Sequence, residues 1–473
     1  MVNMKWTLLL FCLACHSTND SSSASNAGND RPNIIFMMAD DLGWGDVGFN
    51  GNELVKTPAL DQMAREGVVF SRFYAAAPVC SPTRGSCLTG RHPFRYGVFF
   101  ANRGKMEPEE LTLAEYLQGK DYRTGHFGKW HLGTLTKEEV DANRGGRDSA
   151  HYAPPWENGF DICFSTESKV PTWNPMVTPE ADAGDIGKNK PGMPFGTFYW
   201  NEKGKKINDN LEGDDSRVIM DRVIPFIEDQ VSNEAPFFAV VWFHTPHLPV
   251  LTGEKYRNLY KGQSTDLQHY YGAISAMDEQ IGRLNARLKE LNIDKNTLVF
   301  FTSDNGPEGK TRANRTQGST GGFRGRKRSL YEGGIRVPGI AVWPAKIKGG
   351  RQTDYPAVTS DYFPTVLDIL GERNQFPVRP IDGISLMEAL NGDTQVRPVP
   401  IGFQSEEQKA WIDNQYKLFV RNGQPPELYD LVNDPFETKD ISGEHPDQLK
   451  KMEKLISGFV NSCTASERGA DYN

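Results

Sequence analysis

Cys80-Ser81-Pro82-Thr83-Arg84 sets a thiol two residues ahead of a proline and four ahead of an arginine, with Leu88-Thr89-Gly90-Arg91 close behind. Pro82 suits the first turn of a helix, so Cys80 reads as the entry to one. A helix start offers unpaired N–H groups and positive potential, a setting for a tetrahedral anion. Arg84 follows about one turn later and can pair with a nucleophile or with metal-bound oxygens. A lone cysteine is more often a small buried core residue, and Cys87 is read that way. Cys80 is set apart by its company.

That company stands at the ends of apolar runs. Asn33–Ala39 leads into Asp40-Asp41, and Thr297–Thr302 leads into Ser303-Asp304-Asn305-Gly306. Phe243 leads into His244-Thr245-Pro246-His247, and Tyr122–Phe127 into Gly128-Lys129-Trp130-His131. In open parallel sheets ligands bind beyond the carboxyl ends of the strands, so these clusters are expected to converge. Asp40, Asp41, Asp304 and Asn305 offer oxygen ligands with no thiolate or imidazole, which favours a hard cation: calcium, with magnesium second. Singly, each is as well explained as a turn or a helix cap. Lys129 and His131 are two apart on an extended segment, so both can face one side. Lys327, in Gly325–Pro338, would by itself be a solvated surface charge.

The elements that must position these groups follow an alternating pattern. Apolar runs at Asn33–Ala39, Pro236–Phe243 and Thr297–Thr302 read as buried strands, with a helix from Thr57-Pro58 to near Gly67 and a long one over Leu267–Leu291. This is an α/β pattern, a mostly parallel sheet between helices. Gly133–Gly213 is rich in Gly, Pro, Asn and aromatics and reads as a loop-rich insertion (133–213) over one face. After about Gly371 short strands at Trp411–Asp413, Tyr416–Val420 and Glu427–Leu431 and a helix over Pro446–Val460 suggest a smaller α+β subdomain on an antiparallel sheet. The expected division is 1–30, a signal and tether; 31–370, the catalytic domain; and 371–473, the C-terminal subdomain.

Composition removes some function classes. A chain of 473 residues with net charge −8 and no long block of like charge does not suit a nucleic-acid backbone. Lys5 and the apolar Trp6–Ala14 read as an export signal, followed by a Ser- and Asn-rich tether over Ser17–Asp30. Cys15 stands where a bacterial lipoprotein carries its lipid, so periplasm, cell surface or secretion is expected. The six cysteines do not form a disulfide framework.

Taken together, these motifs resemble the type I, formylglycine-dependent sulfatases of the alkaline-phosphatase-like superfamily, from Arg31 to about Ser442. The resemblance implies that Cys80 is oxidised to formylglycine (3-oxoalanine) by a formylglycine-generating maturation enzyme. It implies calcium on Asp40, Asp41, Asp304, Asn305 and the modified Cys80. Arg84 and Lys129 would stabilise the aldehyde hydrate, and Lys129, His247 and Lys327 would contact sulfate. His247 would protonate the leaving oxygen, and His131 would help expel sulfate and restore the aldehyde. His244 is expected to be the structural histidine of the pair.

The substrate is expected to be a sulfated carbohydrate from a polysaccharide. Export, the tether, and Trp156, Trp173, Tyr199 and Trp200 in the insertion support a sugar, and Arg144, Arg147 and His151 could meet further sulfates or uronates. Equally, these aromatics could pack the insertion onto the core. Three alternatives stay open: an arylsulfatase of broad specificity, a phosphate or phosphonate monoester hydrolase of the same superfamily, and an inactive carbohydrate-binding protein with unmodified Cys80. No second set of His and Asp ligands is visible, which favours sulfate over phosphate.

Overall fold

Seven apolar residues in a row, Asn33–Ala39, suit a strand covered on both faces. They form β1, at the middle of the main sheet. The structure is a computed structural model and describes residues 31–142, 144–186, 189–309, 315–373 and 380–472. The expected signal, tether and Cys15 lie outside the described residues.

The strands up to residue 358 are β1 Asn33–Ala39, β2 Val68–Phe70, β3 Phe73–Tyr74, β4 Arg123–Lys129, β5 Ile162–Thr166, β6 Phe237–Trp242, β7 Thr297–Ser303, β8 Arg336–Val337, β9 Gly339–Val342, β10 Arg351–Thr353 and β11 Ala357–Val358. The main sheet runs β10-β2-β9-β7-β1-β6-β4-β5, and only β9 pairs antiparallel to its neighbours. Register aligns Met38 with Trp242 and Ala39 with Ser303. The turns after β1, β6, β7 and β4 therefore emerge along one edge. β3 joins β8 and β11 in a small separate sheet.

Alternate residues of β1 feed two cores. Ile34, Phe36 and Met38 pack with Phe238, Phe300 and Tyr362 on one face. Ile35, Met37 and Ala39 pack with Val241, Phe301 and Ile274 on the other. The second face is covered in part by the helix Thr265–Glu290. This helix also caps Pro58–Glu66, because Asp278 accepts the free N–H groups of Ala59 and Leu60 at 2.9 and 2.8 Å. Thr57 precedes that helix, but its hydroxyl accepts from Gly48 instead.

The stretch 133–213 is mostly turns, yet β5 in its middle extends the main sheet beside β4. Five residues flanked by Gly- and Pro-rich loops give too short a signal to separate from the loops around them. Beyond residue 380, β12 Ile401–Ser405, β13 Gln408–Asp413, β14 Tyr416–Arg421 and β15 Glu427–Asp430 form an antiparallel sheet in chain order. One face, with Phe403, Ile412 and Phe419, packs on Tyr74, Leu330 and Ile335. The other, with Trp411, Leu418 and Leu428, is covered by Met452 and Ile456 of the helix Pro446–Glu467. That helix ends seven residues beyond the expected Val460. Just after it, Asp471 pairs with Arg91 at 2.5 Å, and Glu110 holds the same arginine at 3.4 Å.

Candidate active site

Cys80 opens the helix Cys80–Thr89, whose ten residues are all buried. The sequence explains the close fit: a Cβ on Gly85 would come within 2.6 Å of the Tyr96 ring. Arg84 projects from the next turn, fully buried. Its guanidinium meets Asp304 Oδ2 at 2.5 Å and Asp40 Oδ1 at 3.6 Å, and donates to the Lys129 carbonyl at 3.0 Å. The carboxyl ends of β1, β7 and β4 are thus tied to one side chain.

Two lysines complete the cluster. Lys129 Nζ stands 2.7 Å from Asp40 Oδ2, and Lys327 Nζ stands 2.5 Å from Asp41 Oδ1. Lys327 is not the solvated charge its local sequence suggests, since it is buried and aimed at Asp41. Glycines bring it there: a Cβ on Gly333 would meet the Gly325 carbonyl at 2.4 Å, so only glycine permits that approach. Asn305 Nδ2 donates to Asp41 Oδ1 at 2.7 Å, and His247 Nε2 lies 3.7 Å from Asp41 Oδ2. Asp41 itself sits in the left-handed region at φ 63°.

Burial works against the Asp41 carboxylate, but Lys327 and His247 outweigh it and hold Asp41 below its ordinary range. Burial and then Asp40 raise Asp304, against Arg84 and Lys129. Burial lowers His247, with Lys327 and Lys129 adding to it and Asp41 opposing. Burial also raises the Cys80 thiol, so the unmodified side chain is protonated and a weak nucleophile.

The donor set fits a hard cation. Asp40 Oδ1, Asp41 Oδ2 and Asn305 Oδ1 are buried with no hydrogen-bond partner. Buried oxygens left without hydrogen bonds are costly, and a bound cation satisfies them. Ligand atoms of Asp40, Cys80 and Asp304 lie within 4.8 Å of one another.

The family model for sulfatases matches residues 32–372. The chain belongs to the sulfatase family. It is a sulfuric ester hydrolase. This sulfatase is 33% identical over 390 residues to N-acetylgalactosamine-6-sulfatase of Mus musculus, covering 78% of this chain and 68% of the relative. It is 30% identical over 435 residues to steryl-sulfatase of Homo sapiens, covering 79% and 72%. Among solved structures, Ps i-CgsB in complex with k-i-k-neocarrahexaose superposes with a TM-score of 0.76 at 27% identity, covering 90% of this chain and 93% of that one.

Not every candidate joins the cluster. His244 uses both ring nitrogens, on Asp215 at 2.8 Å and Thr166 at 2.8 Å, and has none left for a substrate. Tyr199 stacks on Phe164 and bonds Asp215, Trp200 bonds Asp141, and Trp173 packs on Gly253. Those three aromatics pack the insertion rather than present a face. Trp156 packs half-buried against the core, Arg147 is exposed, and His151 pairs with Asp148 at 2.5 Å. Arg144 lies nearer the site, acting on His131 electrostatically; one Nη donates to the Gly104 carbonyl at 2.7 Å, and its Nε is buried with no hydrogen-bond partner.

Two residues near the site escaped the sequence reading. Asn102, at φ 60°, places Oδ1 2.9 Å from His131 Nε2. It lies 29 residues before that histidine in a turn with no periodicity, so no local signal marks it. Lys169, just past β5, went unread because β5 itself was not seen.

Proposed function

We propose that this sulfatase removes a sulfate ester from a carbohydrate of an exported, polysaccharide-degrading system, using a formylglycine made from Cys80 and a calcium ion. The observation that carries the reading is the convergence of three unpartnered buried oxygens, a buried cysteine at a helix start, and two buried lysines. The carbohydrate part draws on the galactosamine-sulfatase relatives and the carrageenan-type complex.

Asp40, Asp41, Asp304, Asn305 and residue 80 would hold the cation, which supplies a fixed positive charge against developing negative charge. Oxidised and hydrated, the buried residue 80 would supply a hydroxyl nucleophile. Lys129 and Lys327, which neutralise Asp40 and Asp41 here, would contact the sulfate oxygens. Arg84 locks residue 80's helix to the carboxylates. His247 directs Nδ1 to the Leu248 carbonyl at 2.6 Å, leaving Nε2 for the substrate's leaving oxygen. A sulfate ester beside it favours the protonated ring, in the direction needed to hand over a proton. His131 directs Nε2–H to Asn102, which leaves Nδ1 as the acceptor of a proton.

The test is sulfate release after co-expression with a formylglycine-generating enzyme, on sulfated oligosaccharides, an aryl sulfate and an aryl phosphate, with Cys80→Ala as control. Release from a sugar, lost in the control and on chelation, is expected. Faster phosphate release, or turnover by Cys80→Ala, would sink the reading.

A further inference from the structure

Glu308 follows Asp304 and Asn305 on the turn after β7, and three consecutive basic residues, Arg326, Lys327 and Arg328, are fastened to it. Arg326 Nε donates to the Glu308 carbonyl at 2.8 Å. The Lys327 N–H donates to the carbonyl of Pro307, the preceding residue, at 3.1 Å. Arg328 meets both carboxylate oxygens of Glu308, at 2.5 and 2.9 Å, a two-pronged pairing suited to the planar guanidinium fork. The segment that carries the buried Lys327 is thereby tied to the turn that carries Asp304 and Asn305.

Arg328 is held on two further sides. Its N–H donates at 2.8 Å to the carbonyl of Pro78, just ahead of Cys80, and its carbonyl accepts from the Gln408 side-chain amide at 2.9 Å. Its φ of 76° lies in the left-handed region, which a residue with a Cβ keeps only where its surroundings dictate it. Burial works against the Glu308 carboxylate, but its bonds to Arg328 and the Lys327 charge hold it below its ordinary range. For stability alone the pair counts little, because the Arg328 side chain is 34% exposed and water screens such pairs. For Lys327 it counts more. A lysine stem is flexible, so its ammonium is placed only as well as its backbone is. Asp41 steadies it here at 2.5 Å. With the ammonium turned to sulfate oxygens, that bond would be shared, and the grip on Glu308 from both neighbours of Lys327 would hold the segment in place.

We infer that Glu308 and Arg328 are positioning residues for the reaction: their ion pair fixes the segment from which Lys327 reaches the sulfate group, and it acts on sulfate binding through Lys327. The inference rests on the proposed contact between Lys327 and sulfate and extends it to two residues that touch neither sulfate nor nucleophile.

The experiment compares the matured, calcium-loaded enzyme with Glu308→Gln, Arg328→Lys, Lys327→Ala and the double variant Glu308→Gln/Lys327→Ala. Calorimetry gives Kd for inorganic sulfate, steady-state sulfate release gives KM and kcat, and thermal melts verify folding. Glu308→Gln keeps the side chain's size and loses its charge, and it is expected to raise Kd and KM about tenfold, with less effect on kcat. Arg328→Lys keeps the charge but loses the fork, so a smaller rise in the same two constants is expected. In the Lys327→Ala background, Glu308→Gln is expected to add nothing, since the two act as one unit. A pair with only a structural role would lower Tm and leave Kd and KM of the folded variants unchanged, or its loss would add in full to that of Lys327. Either result overturns the inference while the sulfate contact of Lys327 stands. If the wild type binds no sulfate, or Lys327→Ala leaves Kd and KM unchanged, that contact fails and the inference falls with it.

Discussion

His131 divides its two ring nitrogens between a neighbour and the site. Asn102 Oδ1 accepts at Nε2, and Nδ1 is buried with no hydrogen-bond partner. Burial, then Lys129 and Arg84, keep the ring neutral by lowering its proton affinity well below that of a free histidine. A neutral ring with a fixed tautomer is poised to take a proton. We predict that His131→Ala costs about 100-fold or more in turnover. Asn102→Ala should cost part of that, and Asn102→Asp should restore it by accepting from the same N–H. Steady-state sulfate release reads all three; an Asn102→Ala enzyme with unchanged kcat would refute the tautomer argument. The clustered side chains Asp40, Asp41, Lys129, His247 and Asp304 were legible because each follows an apolar run, and parallel strands deliver such ends to one edge. Asn102 was not, because it meets His131 through a side-chain contact across a turn. Lys327 shows the opposite failure: its basic neighbours imply exposure, and only glycine-permitted backbone contacts reveal the burial.

At the scale of elements, the helix Cys80–Thr89 has no face turned to solvent. Gly85 lets it lie against Tyr96, whose hydroxyl donates to the Pro82 carbonyl at 2.5 Å. Gly85→Ala forces that ring aside, and overpacking of this kind costs about 1–3 kcal/mol. The expected result is a lower Tm together with reduced activity, since the same helix carries residue 80 and Arg84. An unchanged Tm would mean that Tyr96 yields freely. Long strands and helices were readable from periodicity. β5 and β12 were not, because five residues between turns leave too short a window.

At the scale of the molecule, the C-terminal sheet is bonded into the wall of the active site. Lys417 of β14, fully buried, meets Glu437 at 2.8 Å and Glu332 at 2.9 Å, and Glu332 belongs to the glycine-rich segment that carries Lys327. Lys417→Met leaves both carboxylates buried without their shared cation, a loss of about 3–5 kcal/mol. Thermal melts should show it, and wild-type stability in that variant would remove the network from the account. His92 joins the same halves, accepting from the Gln404 N–H at 3.2 Å. Burial, with Arg95 adding and Asp382 opposing, lowers its pKa from 6.5 to about 4. A histidine held neutral contributes its full stability above pH 6.5 and loses it as pH falls towards 4. The slope is about 1.4 kcal/mol per pH unit. His92→Gln should flatten the wild-type loss across that window, and parallel curves would exclude His92 as the titrating group. The pairing of Arg91 with Asp471, 380 residues apart, also acts as a clock. At about 5–20 residues per second, about 20 to 80 seconds of synthesis separate the two. Throughout that interval the segment holding Cys80 lacks an anchor of its final burial, and the enzyme proposed to oxidise Cys80 would have its best access. Slower translation of the later half should therefore raise the oxidised fraction at residue 80, read by peptide mass, and faster translation should lower it.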